Sequence, residues 1–112
     1  MRGFVVAAVA ALSLALPISA SATVRLISVT SPISAGSTAT VVAKVSIRAT
    51  CSITVLYKSG PSVAQGLYPK RVNATGRVSW SWKVGTRTTP GRWPIIVTCG
   101  HAGTLRTSFL VL

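Results

Sequence analysis

Acidic side chains are missing altogether. Among 112 residues there are 12 Lys plus Arg, a single His and no Asp or Glu, for a formal net charge of +12. That absence excludes whole classes of chemistry. A glycosidase needs a pair of carboxylates, a Ser-His-Asp triad needs an acid to orient its imidazole, and a Ca²⁺ cage is built largely from anionic oxygens. His101 follows Cys99-Gly100 in what reads as a turn, where a solvated imidazole is expected, and one imidazole cannot assemble a metal site. The chain is therefore expected not to be an enzyme, to carry no cofactor and to have no small-molecule substrate.

Cysteine is scarce as well, with only Cys51 and Cys99. Their environment is suggested by the N-terminus. Arg2 supplies a short positive region, Phe4 to Leu16 is a continuous run of apolar or small residues, and Ala20-Ser21-Ala22 matches a small-residue cleavage site. Pro17 stops the run short of the roughly 20 apolar residues a bilayer-spanning helix needs. A cleaved signal peptide over residues 1–22 is expected, with the mature chain starting at Thr23 and no transmembrane span in it. In an oxidising compartment Cys51 and Cys99 are expected to pair, the alternative being two reduced, buried thiols. Residues 23–112 make a span of roughly 90 residues, enough for one unit with a modest core and too few for two.

Helical periodicity is the third thing missing. Val24 to Thr30 reads as a first strand, closed by Ser31-Pro32 and Ala35-Gly36. From Ser37 to Arg48 the alternation is clean, with Ala39, Val41, Ala43, Val45 and Ile47 on one face and Thr40, Lys44, Ser46 and Arg48 on the other. Cys51, Ile53, Val55 and Tyr57 continue as a third strand. A long connection rich in turn formers follows, from Lys58-Ser59-Gly60-Pro61 to Lys70-Arg71, with room for a short edge strand. Val78, Trp80, Trp82 and Val84 then alternate with Arg77, Ser79, Ser81 and Lys83, which makes the two tryptophans core aromatics rather than a binding platform. After the Gly85 to Gly91 turn, Trp93, Ile95, Val97 and Cys99 share one face, and Leu105, Phe109 and Val111 face inward on the last strand. Six or seven short strands joined by turns make an antiparallel sandwich.

The strand order, the run Thr89-Pro90-Gly91-Arg92-Trp93-Pro94-Ile95-Ile96-Val97-Thr98-Cys99 and the strand Val78-Ser79-Trp80-Ser81-Trp82-Lys83-Val84 together resemble the small immunoglobulin-like domains of secreted bacterial proteins. The resemblance covers Thr23 to Leu112 and implies an all-β, immunoglobulin-like antiparallel β-sandwich with one disulfide. In that topology the third and sixth strands are antiparallel neighbours. Cys51 begins one and Cys99 ends the other, both on the inward parity, so the bridge would staple a single sheet, whereas the antibody-type bridge crosses between sheets.

The same topology puts the second and fifth strands in one sheet, so Lys44, Arg48, Arg77 and Lys83 are expected to form a basic outer face. On the other sheet Lys58, ending the third strand, is expected beside Arg92 at the start of the sixth, with Lys70 and Arg71 near them. All but Arg2 of the 12 basic side chains lie in the expected mature chain. Such a surface either keeps an exported module soluble or holds an anionic partner through its backbone charge. Two functions are compatible with this: a secreted, non-catalytic module, structural or adhesive at the cell surface, or a polyanion binder. Candidate partners for the second are a cell-wall phosphate polymer or other envelope component, extracellular nucleic acid and anionic lipid. Asn73-Ala74-Thr75 fits a glycosylation sequon but is expected to be a turn.

Overall fold

The computed structural model describes residues 22–112. The expected export segment lies outside them except for Ala22. Eight strands follow one another: β1 (Val24–Val29), β2 (Thr38–Val45), β3 (Thr50–Tyr57), β4 (Gly60–Pro61), β5 (Lys70–Arg71), β6 (Arg77–Lys83), β7 (Gly91–Thr98) and β8 (Thr104–Val111). A single 3-10 turn over Gly100–Ala102 is the only helical element among the described residues. One sheet runs β1-β2-β6 and the other β4-β3-β7-β8, with β5 paired to the start of β3. Three strands drawn from positions one, two and six, facing a sheet built on three, seven and eight, are the immunoglobulin arrangement with the two-residue β4 and β5 as additions.

Alternation writes this architecture directly. In β2, β3 and β6 every second residue is buried, placing Ala39, Val41, Ala43, Val45, Cys51, Ile53, Val55, Val78, Trp80 and Trp82 between the sheets. β1 shows how strict the rule is. Its pairing with β2 slips between Leu26 and Ser28, a bulge that absorbs Ile27 as an extra, exposed residue. Without it, Leu26 and Val29 could not both face the core. The buried aromatics interlock edge to face, with the Trp82 and Phe109 rings 5.7 Å apart at 84°. Each indole N–H finds an acceptor: Trp80 donates to the Tyr68 carbonyl at 2.8 Å, Trp82 to the Tyr57 hydroxyl at 3.1 Å, and Trp93 to the Thr89 carbonyl at 2.8 Å.

Cys51 and Cys99 are bonded and fully buried, their Cα atoms 4.1 Å apart. Ser52 pairs with Thr98 in the β3–β7 ladder, so the two cysteines are the next cross-strand pair, and the bridge lies within one sheet. The free edge of β6 is covered too. The segment from Gly66 to Lys70 crosses it, with the Lys70 Nζ donating to the Ser79 carbonyl at 2.9 Å and Gly66, at φ 97°, packed on the Ser81 carbonyl. An open strand edge invites pairing with another chain, and this segment closes it.

Candidate anion-binding face

β1 and β2 pair with Arg25 opposite Lys44, and β2 and β6 pair with Lys44 opposite Arg77. Directly opposed residues of antiparallel strands share a face. All three are on the parity opposite the buried residues, so they form one row across the outside of the three-stranded sheet. With strands about 4.8 Å apart, the row spans roughly 10 Å at the backbone. The three side chains, with Leu26 and Ile27, line a shallow cleft of about 360 Å³.

A local turn holds the centre of this row in place. The Asn73 side-chain oxygen accepts hydrogen bonds from the Thr75 N–H at 3.0 Å, the Thr75 hydroxyl at 2.7 Å and the Arg77 N–H at 2.9 Å. Asparagine is suited to this because its amide oxygen can mimic a backbone acceptor in a tight turn. Gly76 completes the turn at φ 81°, its α-carbon so near Val45 and Lys44 that a Cβ there would come within 3.3 Å of the Lys44 Nζ. The turn thereby presents the Thr75 carbonyl to Lys44, whose Nζ donates to it at 2.8 Å. No acidic side chain exists to neutralise any member of the row. The sequon is thus a turn, as expected, and its role is to orient the strand that carries Arg77.

The six expected binding residues divide among five places. Lys44 and Arg77 meet as expected. Lys83 shares their sheet but pairs opposite Thr38 at the other end of β6, about 20 Å along the strand at 3.3 Å per residue. Arg48 does not join the face, because β2 ends at Val45 and the chain bends away through Ser46 and Ile47. Ile47, expected in the core, is exposed for the same reason. Lys58 does not end a strand opposite Arg92. The β3–β7 ladder stops at Val55 and Ile95, β3 folds back onto β4, and Lys58 lies in the turn between them. Arg92 points across β8 instead, its guanidinium 3.4 Å from the Ser108 hydroxyl. Lys70 and Arg71, expected near Lys58, pair with Cys51 and Thr50 at the opposite end of β3. The sequence pattern did not single out Arg25. Its position between the inward Val24 and Leu26 marked it as outward, but only the β1–β2 register places it against Lys44.

No protein-family model matches the chain, and no curated protein is similar to it in sequence. Among solved structures it is similar to the titin domains Z1Z2 in complex with telethonin, at 18% identity and a TM-score of 0.49, over 85% of this chain and 49% of that one. It thus spans about half the length of the titin chain in that structure. Its own strand order carries the immunoglobulin assignment.

Proposed function

We propose that this chain is an exported, non-catalytic immunoglobulin-like module that adheres at the cell surface by holding an anionic polymer of the envelope on the outer face of its three-stranded sheet. The observation behind this is the in-register row Arg25, Lys44 and Arg77 in a chain with no side-chain carboxylate. Three cations side by side, left without acids, suit the oxygens of successive phosphates, sulfates or carboxylates. Guanidinium groups can take such oxygens two at a time. The flat outer face of a sheet can lie along a polymer backbone but offers nothing that enters a nucleic-acid groove, so the contact reads charge and not base sequence.

Chromatography on immobilised heparin and on polyphosphate tests this. The purified chain is expected to elute well above physiological salt. Replacing Arg25, Lys44 and Arg77 together by Gln should lower the elution salt more than replacing Arg71, Arg92 and Arg106, which removes the same charge elsewhere. Each lost contact should flatten the dependence of log K on log salt by about one unit. Equal shifts for the two triple variants would sink the assignment to this face.

A further inference from the structure

The β3–β4 turn and the β6–β7 loop flank an open cleft of about 550 Å³, lined by Tyr57, Lys58, Ser59, Gly85, Arg87, Thr88 and Thr89. Its volume lies in the range of small-molecule sites. Both of its walls are held in place. Trp93 donates to the Thr89 carbonyl at 2.8 Å, and the Thr88 N–H bonds the Gly85 carbonyl at 3.1 Å, which together pin the loop. The Tyr57 ring is clamped edge to face by Trp93 at 6.3 Å and Phe109 at 6.1 Å, and its hydroxyl accepts the Trp82 indole N–H at 3.1 Å. Having accepted that bond, the phenol still has its own proton to donate.

The lining chemistry is selective. Lys58 and Arg87 are exposed cations on opposite walls with no acidic side chain to pair them. Between them are one half-buried aromatic ring and the hydroxyls of Ser59, Thr88 and Thr89. Hydroxyls match the hydroxyls of a sugar, an aromatic ring matches its C–H face, and the cations match a carboxylate or sulfate on it. No amide side chain among the lining residues is available to read the edge of a nucleobase. We propose that this cleft binds a single acidic sugar residue, seated on Tyr57 with its anionic group between Lys58 and Arg87. The site is separate from the Arg25 row, which lies towards the other end of β6. It does not depend on the polymer-binding role assigned to that row.

The test is a titration of the full purified chain, followed by amide NMR shifts and tryptophan fluorescence, with four probes at matched ionic strength: digalacturonic acid, the neutral digalactose, inorganic phosphate and a nucleoside monophosphate. The expected result is saturable binding of digalacturonic acid alone, with shifts confined to residues 57–59 and 85–89 and the Trp82 indole. Because Lys58 and Arg87 are exposed, Lys58→Gln with Arg87→Gln should leave the fold intact and weaken that binding by about tenfold or more. The variant lacking Arg25, Lys44 and Arg77 should bind the disaccharide unchanged even where it has lost retention on heparin. The proposal is overturned by an equal response to phosphate or to the neutral sugar, by tighter binding of the nucleotide, by shifts centred on residues 25, 44 and 77, or by no saturable response.

Discussion

Lys44 and Arg77 face each other directly across β2 and β6, and the Lys44 ammonium donates to the Thr75 carbonyl, 2.8 Å away. Like charges in direct cross-strand register oppose each other. The face proposed to bind is therefore a face that weakens the fold, and the two properties separate on substitution. Arg77→Glu converts the pair to opposite charges and should raise stability by about 0.2–1 kcal/mol. The same change should lower retention on heparin. Urea denaturation beside salt elution checks both signs, and a variant that loses stability and gains retention would contradict this account of the row.

Gly66 should tolerate no side chain. Its φ of 97° is in the left-handed region, and an added Cβ would collide with the Ser81 carbonyl oxygen, a backbone atom that cannot swing aside. Gly66→Ala is expected to lift the segment through Lys70 off the edge of β6. The readouts are a lowered Tm, faster amide hydrogen exchange in β6, and concentration-dependent self-association as the edge becomes available. A variant with unchanged exchange in residues 77–83 would refute the protective role of this segment.

Removing the bridge by Cys51→Ala with Cys99→Ala should cost about 2–5 kcal/mol. The two residues are 48 apart in sequence, and the chain-entropy model gives about 4 kcal/mol for such a loop. Because the bridge lies within one sheet, its loss should loosen the junction of β3 and β7 before it affects the β1-β2-β6 sheet. Hydrogen exchange resolved by strand distinguishes this from uniform destabilisation.

The pH dependence should be lopsided. Acid unfolding largely reflects the protonation of carboxylates paired in the native state, and this chain has no such side chains, so stability should be nearly flat between about pH 3 and 5. At the alkaline end Tyr57 matters. Burial raises its phenol above the usual 10.0, partly offset by the bond from Trp82. A raised folded-state value means that the native state keeps its proton longer than the unfolded chain. That contribution is complete below about pH 10 and is lost as pH climbs past the unfolded value towards the folded one. Thermal melts across pH 3–11 should show the plateau and then this decline, and Tyr57→Phe should be less stable at neutral pH but decline less steeply in alkali. A collapse of Tm across pH 3–5 would count against the charge balance described here.

The strands and their inward faces were legible because burial on a pleated sheet has a period of two. Trp80, Trp82, Val41 and Val97 announce their side of the sheet without reference to any neighbour. The in-sheet bridge followed once the strand order was in place, since Cys51 and Cys99 stand at matching ends of antiparallel strands. Where the expectation failed, a good alternation ran on past the point at which strand pairing stops. Ile47 and Arg48 continue the alternation of β2 in sequence, yet β2 and the start of β1 that pairs with it reach only to Val45 and Val24, and the chain bends at Ser46 and Ile47 before Arg48.

Composition and alternation alone establish that the chain is a β-sandwich without side-chain carboxylates, because both are properties of the residues themselves and need no partner. Which cations stand together is a different kind of fact. Arg25 meets Lys44, Lys58 shares a cleft with Arg87, and Lys70 is carried to the far end of β3, all through pairings between segments distant in the chain. Strand register and loop packing settle those neighbours, and each is fixed by burial of the opposite face of the sheet, where the charged side chains themselves have no say.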